Sequence, residues 1–195
     1  AIALMPPPLS QSGPLWGLLG VVAFSFTIVF TRFALGGLSP LFIGAGRAVG
    51  AAGLAAAALF LTRQTPPSGT QWMRLAVVGA GVVAGFPLLT SYALTVVPAS
   101  HGAVVIALLP AATAVTAVLR GGERPPAAFW ATAVVGAGAA VVFAMVQGGG
   151  IGHLSWADLL LFGAVAAAAV GYAEGGLLAR DLGSWQTVSW ALVMA

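Results

Sequence analysis

Two charged side chains lie inside long apolar stretches of the sequence and are the first candidates for chemistry. Arg47 lies within the apolar run that starts at Pro40, roughly 10 Å from its start at about 1.5 Å per helical residue. Its guanidinium stays charged at physiological pH. We interpret Arg47 as a substrate-binding candidate that contacts an anion or carboxylate. A structural role, with bonds to carbonyls of a neighbouring helix or extension towards the surface, stays open.

Glu174 is the second of these residues, and its carboxyl group can exchange a proton. It lies between Gly171 and Gly175, where small residues would let another helix approach and exclude water. We predict a proton-coupling or cation-binding role, in which Glu174→Gln keeps the fold and abolishes the pH dependence. The alternative is a side chain that reaches water at the end of a helix or pairs with an arginine such as Arg180.

Hydroxyl groups inside other apolar stretches are weaker candidates for contact with a substrate. Serine and threonine hydroxyls can also bond to carbonyls of their own helix, so their presence alone does not define a site. These further substrate-binding candidates are Ser25, Thr27, Tyr92 and Tyr172.

Three residues are candidates for gating. Pro87 and Pro110 lie within apolar stretches, and each removes a backbone donor, which favours a hinge or a kink beside a cavity. His101 stands at the start of an apolar stretch, where it could titrate or gate. The alternatives are tolerated membrane prolines and a solvated histidine at a helix end.

The composition excludes a soluble globular domain. Hydrophobic residues make up 60% of the 195 residues, charged residues only 6%, and the mean hydropathy is +1.05. Soluble domains carry about 25% charged residues, because their surface must face water. The solvent around most of this chain must therefore be lipid.

The positive net charge does not indicate a nucleic-acid partner. The charge of +3 comes from scattered arginines with no lysine, whereas nucleic-acid binding needs clustered basic residues. The absence of cysteine and of acids at metal-ligand spacing beside the histidines argues against a metal site. Without lysine there is also no nucleotide-binding Gly-Lys-Ser/Thr loop, and we expect no cofactor.

Apolar stretches long enough to cross a membrane recur along the chain. About 20 residues are needed to span a hydrocarbon core of about 30 Å. We predict an all-α polytopic transmembrane bundle with an extramembrane tail at 1–14, six complete spans and a seventh begun near Trp185. The complete spans are 15–35, 40–61, 72–96, 99–119, 127–146 and 156–179.

Basic and aromatic residues predict the orientation of these spans. Arginines concentrate in alternate connections, with Arg63, Arg120 and Arg180 on one side and His101 and His153 on the other. Cytoplasmic loops carry the excess of basic residues, so the N-terminus is predicted to be cytoplasmic. Tryptophan marks the same boundary, as an interfacial belt would; its members are Trp16, Trp72, Trp130 and Trp185.

Glycines spaced four residues apart predict close contacts between helices. Such small-xxx-small pairs let two backbones approach each other. They are Gly46/Gly50, Gly81/Gly85 and Gly171/Gly175.

Short motifs in the third to fifth spans and their connections resemble the drug/metabolite transporter superfamily of the EamA type. They are the run Tyr-Ala-Leu through Pro-Ala-Ser at 92–100, Pro110, Gly-Glu-Arg at 122–124, and Gly-Ala-Gly at 136–138. A Trp-plus-Leu pattern at 15–19 returns at 155–160, which suggests an inverted repeat of five helices. We therefore place the first EamA-like repeat at 15–146 and the truncated start of the second at 156–195.

The resemblance implies a ten-helix exporter of small metabolites or drug-like solutes in the bacterial inner membrane. It implies alternating access, a central cavity and lipid as the surrounding partner. The chain stops within the predicted seventh span, which implies a missing C-terminal half or a homodimer. The remaining alternatives are a non-transporting assembly or packing subunit and, with less support, an intramembrane enzyme, since no catalytic cluster is evident.

Overall fold

The computed structural model describes residues 13–122, 124–147 and 155–195, and the regular elements in those ranges are all helices. The chain begins with α1 (Gly13–Ala34) and α2 (Pro40–Leu61). The Ser39 side chain caps α2 by accepting a bond from the backbone N–H of Phe42 at 3.2 Å. Proline is tolerated at the first helical position because that N–H has no helical partner. The predicted start of the second span is confirmed.

The third span is a helix with a π-helical interruption. It runs through α3 (Gly69–Val78), a π-helix (Gly79–Gly85) and α4 (Phe86–Ala93). Phe86 donates its N–H to Gly81 five residues back, and Pro87 next to it has no N–H to give. The sequence predicted one continuous span here, and the change of hydrogen-bond register at Gly79 was not foreseen.

The fourth span is also broken near a proline. It consists of α5 (Ala99–Ile106) and α6 (Leu109–Gly121). Pro110 lies in the first turn of α6, where a missing N–H costs nothing, and the break at Ala107 and Leu108 is a tight turn. Gly122 ends α6 with a φ of 64°, a left-handed conformation that glycine adopts without steric cost.

The last described helices are α7 (Ala127–Gln147), α8 (Trp156–Leu182) and α9 (Ser184–Met194). Ser155 and Asp158 form a capping box at the start of α8, with the Ser155 N–H donating to Asp158 Oδ2 at 2.8 Å. α8 continues beyond the predicted end at residue 179, so Arg180 lies within this helix rather than in a connection. Gly183, with a φ of 92°, then separates α8 from α9.

Five helices in the described part of the chain are long and apolar enough to cross a membrane. The predicted all-α polytopic bundle is therefore confirmed. Large apolar side chains also remain uncovered on its outside, including Trp16 at 70% exposure and Phe60 at 83%. Such a surface requires lipid around it. The five spans are Leu15–Ala34, Pro40–Leu61, Gly69–Ala93, Ala99–Gly121 and Trp156–Leu182.

α8 is the central helix of the bundle. It packs against the third span, the fourth span and α9, and Leu161, Ala164 and Ala168 on it are fully buried. These small and medium-sized residues meet Phe86 and Ile106 in one apolar cluster. The first helix of the predicted second repeat is thus enclosed by helices of the predicted first repeat.

Glycine makes this enclosure possible at one crossing. A methyl group at Gly81 would collide with the backbone carbonyl of Ala167 on α8, and one at Gly171 would lie 2.7 Å from Val82 Cγ2. The close approach predicted for these glycines is confirmed. Among the described residues, no other atom lies within 4 Å of such a methyl group at Gly46 or Gly50, so the packing predicted for that pair is not formed within this part of the chain.

Candidate functional site

A cavity of about 410 Å³ lies between α2, the π-helix region, α8 and α9. Its walls are mostly aliphatic, as ligand cavities usually are, and its volume falls within their usual range of about 300–1,000 Å³. Glycines on α8 leave space in it, since a methyl group added at Gly176 would have no other atom within 4 Å. The lining residues that carry the later arguments are Arg47, Val82, Pro87, Tyr172, Gly176 and Leu192.

Arg47 supplies the charge on the cavity wall. Its Nη1 atom donates to the buried Thr31 Oγ1 at 3.4 Å. The same arginine also borders a second hollow of about 390 Å³ between α1 and α2. That second hollow includes Thr27, so two of the predicted substrate-binding residues meet there. Arg47 therefore lies where the two spaces adjoin.

The structure distributes the other predicted substrate-binding residues unequally. Tyr172 lines the main cavity on α8. Ser25 instead donates to the carbonyl of Val22 on its own helix at 2.7 Å, which is the local alternative considered for such residues. Tyr92 is 42% exposed at the end of α4 and is not among the described residues that line the cavity.

Glu174 lies outside the cavity, at the centre of an ion cluster near one end of α8. The carboxylate accepts a hydrogen bond from Arg74 Nε on α3 through its Oε1 atom, and one from Arg120 Nε on α6 through its Oε2 atom at 2.9 Å. Asp181 adds a weaker contact to Arg74 at 3.7 Å. Glu174 itself is only 3% exposed.

This cluster bears on the alternatives that the sequence left open for Glu174, one of which was a pairing with an arginine. Pairing with an arginine was expected from Arg180 among others, and the pairing that the structure shows is with Arg74 and Arg120. Sequence analysis used Arg120 only as a topology signal and did not single out Arg74. One further signal was available: the predicted alternating topology would place Arg74, Arg120 and Glu174 near span ends at the same membrane face. Two guanidinium groups stabilise the carboxylate as an anion.

His101 forms a hydrogen-bonded contact with a second carboxylate of α8, near the other end of that helix. Its Nε2 atom lies 2.5 Å from Asp158 Oδ1. Asp158 is buried and also accepts bonds from the Ser155 backbone N–H and hydroxyl, at 2.8 and 2.9 Å. The side chain of His101 is 26% exposed near the start of α5, and its ring also contacts a carboxylate on the central helix. Sequence analysis missed Asp158 as its partner.

The two predicted hinge residues occupy different environments. Pro87 is buried and lines the main cavity directly after the π-helix. Pro110 borders a separate hollow beside Arg124 and Phe129, between α6 and α7. His153, which the topology prediction placed opposite the arginines, lies outside the described residues.

Comparison with known proteins supports the interpretation as a membrane transporter. Residues 11–145 match the EamA-like transporter family. The chain is also 44% identical over 186 residues to a Bacillus subtilis (strain 168) protein named "Uncharacterized transporter YdeK". That alignment covers 95% of this chain and 64% of the relative, so the chain spans less than two thirds of the relative's length. No solved structure gives a significant match.

Proposed function

The chain belongs to the EamA-like transporter family of integral membrane proteins, and from that premise we propose that it exports small metabolites or drug-like solutes by alternating access. The family membership covers residues 11–145. The direction of transport, the solute and the placement in a bacterial inner membrane are parts of the proposal. An ion or solute gradient as the energy source is a further part of the proposal.

The observation that carries this proposal is the position of the cavity. It lies between α2 and the π-helix region on one side and α8 and α9 on the other. In the repeat organisation proposed from the sequence, these are helices of the first and second repeats. Transporters built from inverted repeats bind substrate at the interface between the repeats. With the repeats placed as we propose, the cavity would occupy the equivalent interface in this chain.

The two side-chain contacts on α8, that of Asp158 with His101 and that of Glu174 with its two arginines, are suited to close the ends of that interface. Asp158 and Glu174 are about 24 Å apart along α8 at 1.5 Å per residue. Each bonds to a helix of the proposed first repeat: His101 on α5 at one end, and Arg74 and Arg120 on α3 and α6 at the other. We assign His101 to the gate at the first end and keep Glu174 as the proton-coupling candidate at the second.

The irregular backbone offers places where the helices can bend. The π-helix leads directly into Pro87, and Pro110 follows the break between α5 and α6. Helix irregularities at such positions are common at functional sites. We propose that these two prolines mark the hinges of alternating access.

Filling the cavity tests the proposed transport path. In Gly176→Phe, the new ring enters open space and occupies the volume that a solute needs. We expect saturable flux to fall by about tenfold or more, since solute sites are usually shaped closely to their occupant. The measurement is flux of p-toluenesulfonate, p-toluenesulfonamide and benzyltrimethylammonium in proteoliposomes that contain the complete protein encoded by the gene.

Gly53→Phe on α2 is the matched control. Gly53 also has open space around it, and it is not among the described residues that line the cavity. This variant should retain wild-type flux. If Gly176→Phe transported as well as Gly53→Phe did, the cavity would not be the transport path.

The proposed orientation has its own test, helped by the absence of cysteine from the sequence. Single cysteines at Thr65 and Val96 would stand at opposite ends of the third span, and both positions are exposed. With a cytoplasmic N-terminus, a membrane-impermeant maleimide should label Val96→Cys in intact cells. It should label Thr65→Cys only after the cells are opened. The reverse pattern would invert the proposed topology.

A further inference from the structure

We propose that the cavity selects organic monoanions, compounds with one negative head group and an apolar body, and that Arg47 binds the head group. This inference rests on the proposed function, because it takes the cavity as the site that binds solute. It adds the chemical class of the solute, which neither the fold nor the family membership specifies. Three observations support the inference. They are the charge of Arg47 on the cavity wall, the N–H donors of Arg47 that remain free, and the apolar side chains that line the cavity.

The charge of Arg47 is not balanced by an acidic side chain. In residues 13–122, 124–147 and 155–195, no carboxylate lies within 4.0 Å of its guanidinium. The acids of those ranges are engaged elsewhere: Glu174 with Arg74 and Arg120, Asp181 with Arg74, and Asp158 with His101. An arginine inside a membrane span is costly, because its charge is taken out of water. A bound anion would offset that cost.

Arg47 also keeps donors available for a ligand. A guanidinium carries five N–H donors in a fixed planar arrangement. Among the described residues, the bond of Arg47 is a long one, 3.4 Å to Thr31 Oγ1. The remaining donors have the geometry that binds a carboxylate or sulfonate through two parallel bonds. A lysine would offer the same charge without the planar pair of N–H donors that makes two parallel bonds possible.

The walls of the cavity define the rest of the solute. The aliphatic surface of the cavity includes Val78, Val82, Val83 and Leu192. Burial of an apolar body against such surface is favourable because it removes apolar area from water. The lining contains no acidic side chain and no basic residue besides Arg47 among the described residues. A cation would therefore be repelled, and a second negative charge on the solute would lack a partner.

Three probes of nearly equal shape separate these possibilities. p-Toluenesulfonate is a permanent monoanion, p-toluenesulfonamide is its neutral counterpart, and benzyltrimethylammonium is a cation of similar size. Binding to the purified complete protein in detergent is measured by isothermal titration calorimetry. We expect the anion to bind about tenfold tighter than the neutral probe, a difference of about 1.4 kcal/mol, and the cation to bind weakest.

Arg47→Gln should remove the preference for the anion. Its Kd for p-toluenesulfonate should rise about tenfold, to that of the neutral probe, while the Kd for the neutral probe stays unchanged. Arg47→Lys should recover only part of the preference, because it restores charge without the bidentate geometry. Arg32→Gln is the matched control: it removes the same charge from an exposed arginine that borders neither hollow, and it should bind like wild type.

The outcomes separate this inference from the proposed function. The inference is wrong if the cation or the neutral probe binds as tightly as the anion, if none of the probes binds, or if Arg47→Gln leaves the ratio unchanged. If Arg47→Gln failed to fold, Arg47→Lys alone would test the inference, because it should prefer the anion less than the wild type does. Selective anion binding without flux would defeat the transport proposal and leave the inference intact. Saturable flux of a neutral solute that Arg47→Gln does not alter would support the transport proposal and defeat the inference about the anion.

Discussion

Alanine at Gly81 is expected to lower the thermal unfolding midpoint of the purified protein, whereas alanine at Gly163 is expected to leave it unchanged or raise it. Both glycines lie within helical segments, where alanine is intrinsically favoured by about 0.8–1 kcal/mol. At Gly81 the added methyl group collides with the carbonyl of Ala167. Backbone cannot rotate away as a side chain can, so the overpacking should cost about 1–3 kcal/mol.

Gly163 is the matched control because it lies on α8, the helix that Gly81 contacts, and faces the third span from the opposite side of the same crossing. A methyl group there meets Leu89 Cδ1 at 3.5 Å, an ordinary van der Waals contact. Thermal unfolding of both variants in one detergent, followed by tryptophan fluorescence or by retention of the monodisperse peak, gives the comparison. Equal midpoints for the two variants, or a higher one for Gly81→Ala, would show that the third span and α8 do not cross as closely as the structure has them.

Glu174→Gln is expected to abolish any pH dependence of transport and to reduce stability as well. The glutamine cannot exchange a proton, which removes the proposed coupling group. It also presents an amide in place of the anion that Arg74 and Arg120 bind. Hydrogen bonds to charged groups contribute about 1.5–3 kcal/mol. The sequence-based expectation that this variant keeps the fold intact is therefore revised to a destabilised but folded protein.

Two measurements test the Glu174 prediction, flux across a range of pH and thermal unfolding at one pH. Asp181→Asn is the control, because Asp181 contacts the same Arg74 but its side chain is 58% exposed and the contact is 3.7 Å. Exposed pairs of this kind contribute about 0–1 kcal/mol, so this variant should resemble wild type. If Glu174→Gln retained the wild-type pH profile, Glu174 would be a structural partner of the arginines and would have no coupling role.

The sequence by itself determined the class of the protein and the course of most helices. A chain with 6% charged residues has too few charges to cover a surface that faces water. Its membrane location therefore follows from solvation alone. Capping residues such as Ser39 and Ser155 mark helix starts because they satisfy local backbone donors. The family resemblance likewise rests on short local motifs, and the match over residues 11–145 confirms it.

Only the tertiary structure decided which polar groups meet. Glu174 bonds to Arg74, 100 residues away, and to Arg120, 54 residues away, and His101 meets Asp158 across 57 residues. The helical period shows which residues share a face of one helix, but hydropathy is nearly uniform around membrane helices and does not show which face meets which neighbour. Contacts such as Gly81 on Ala167 select that arrangement. The separation of Glu174 from the cavity that Arg47 lines therefore emerges only when the helices pack.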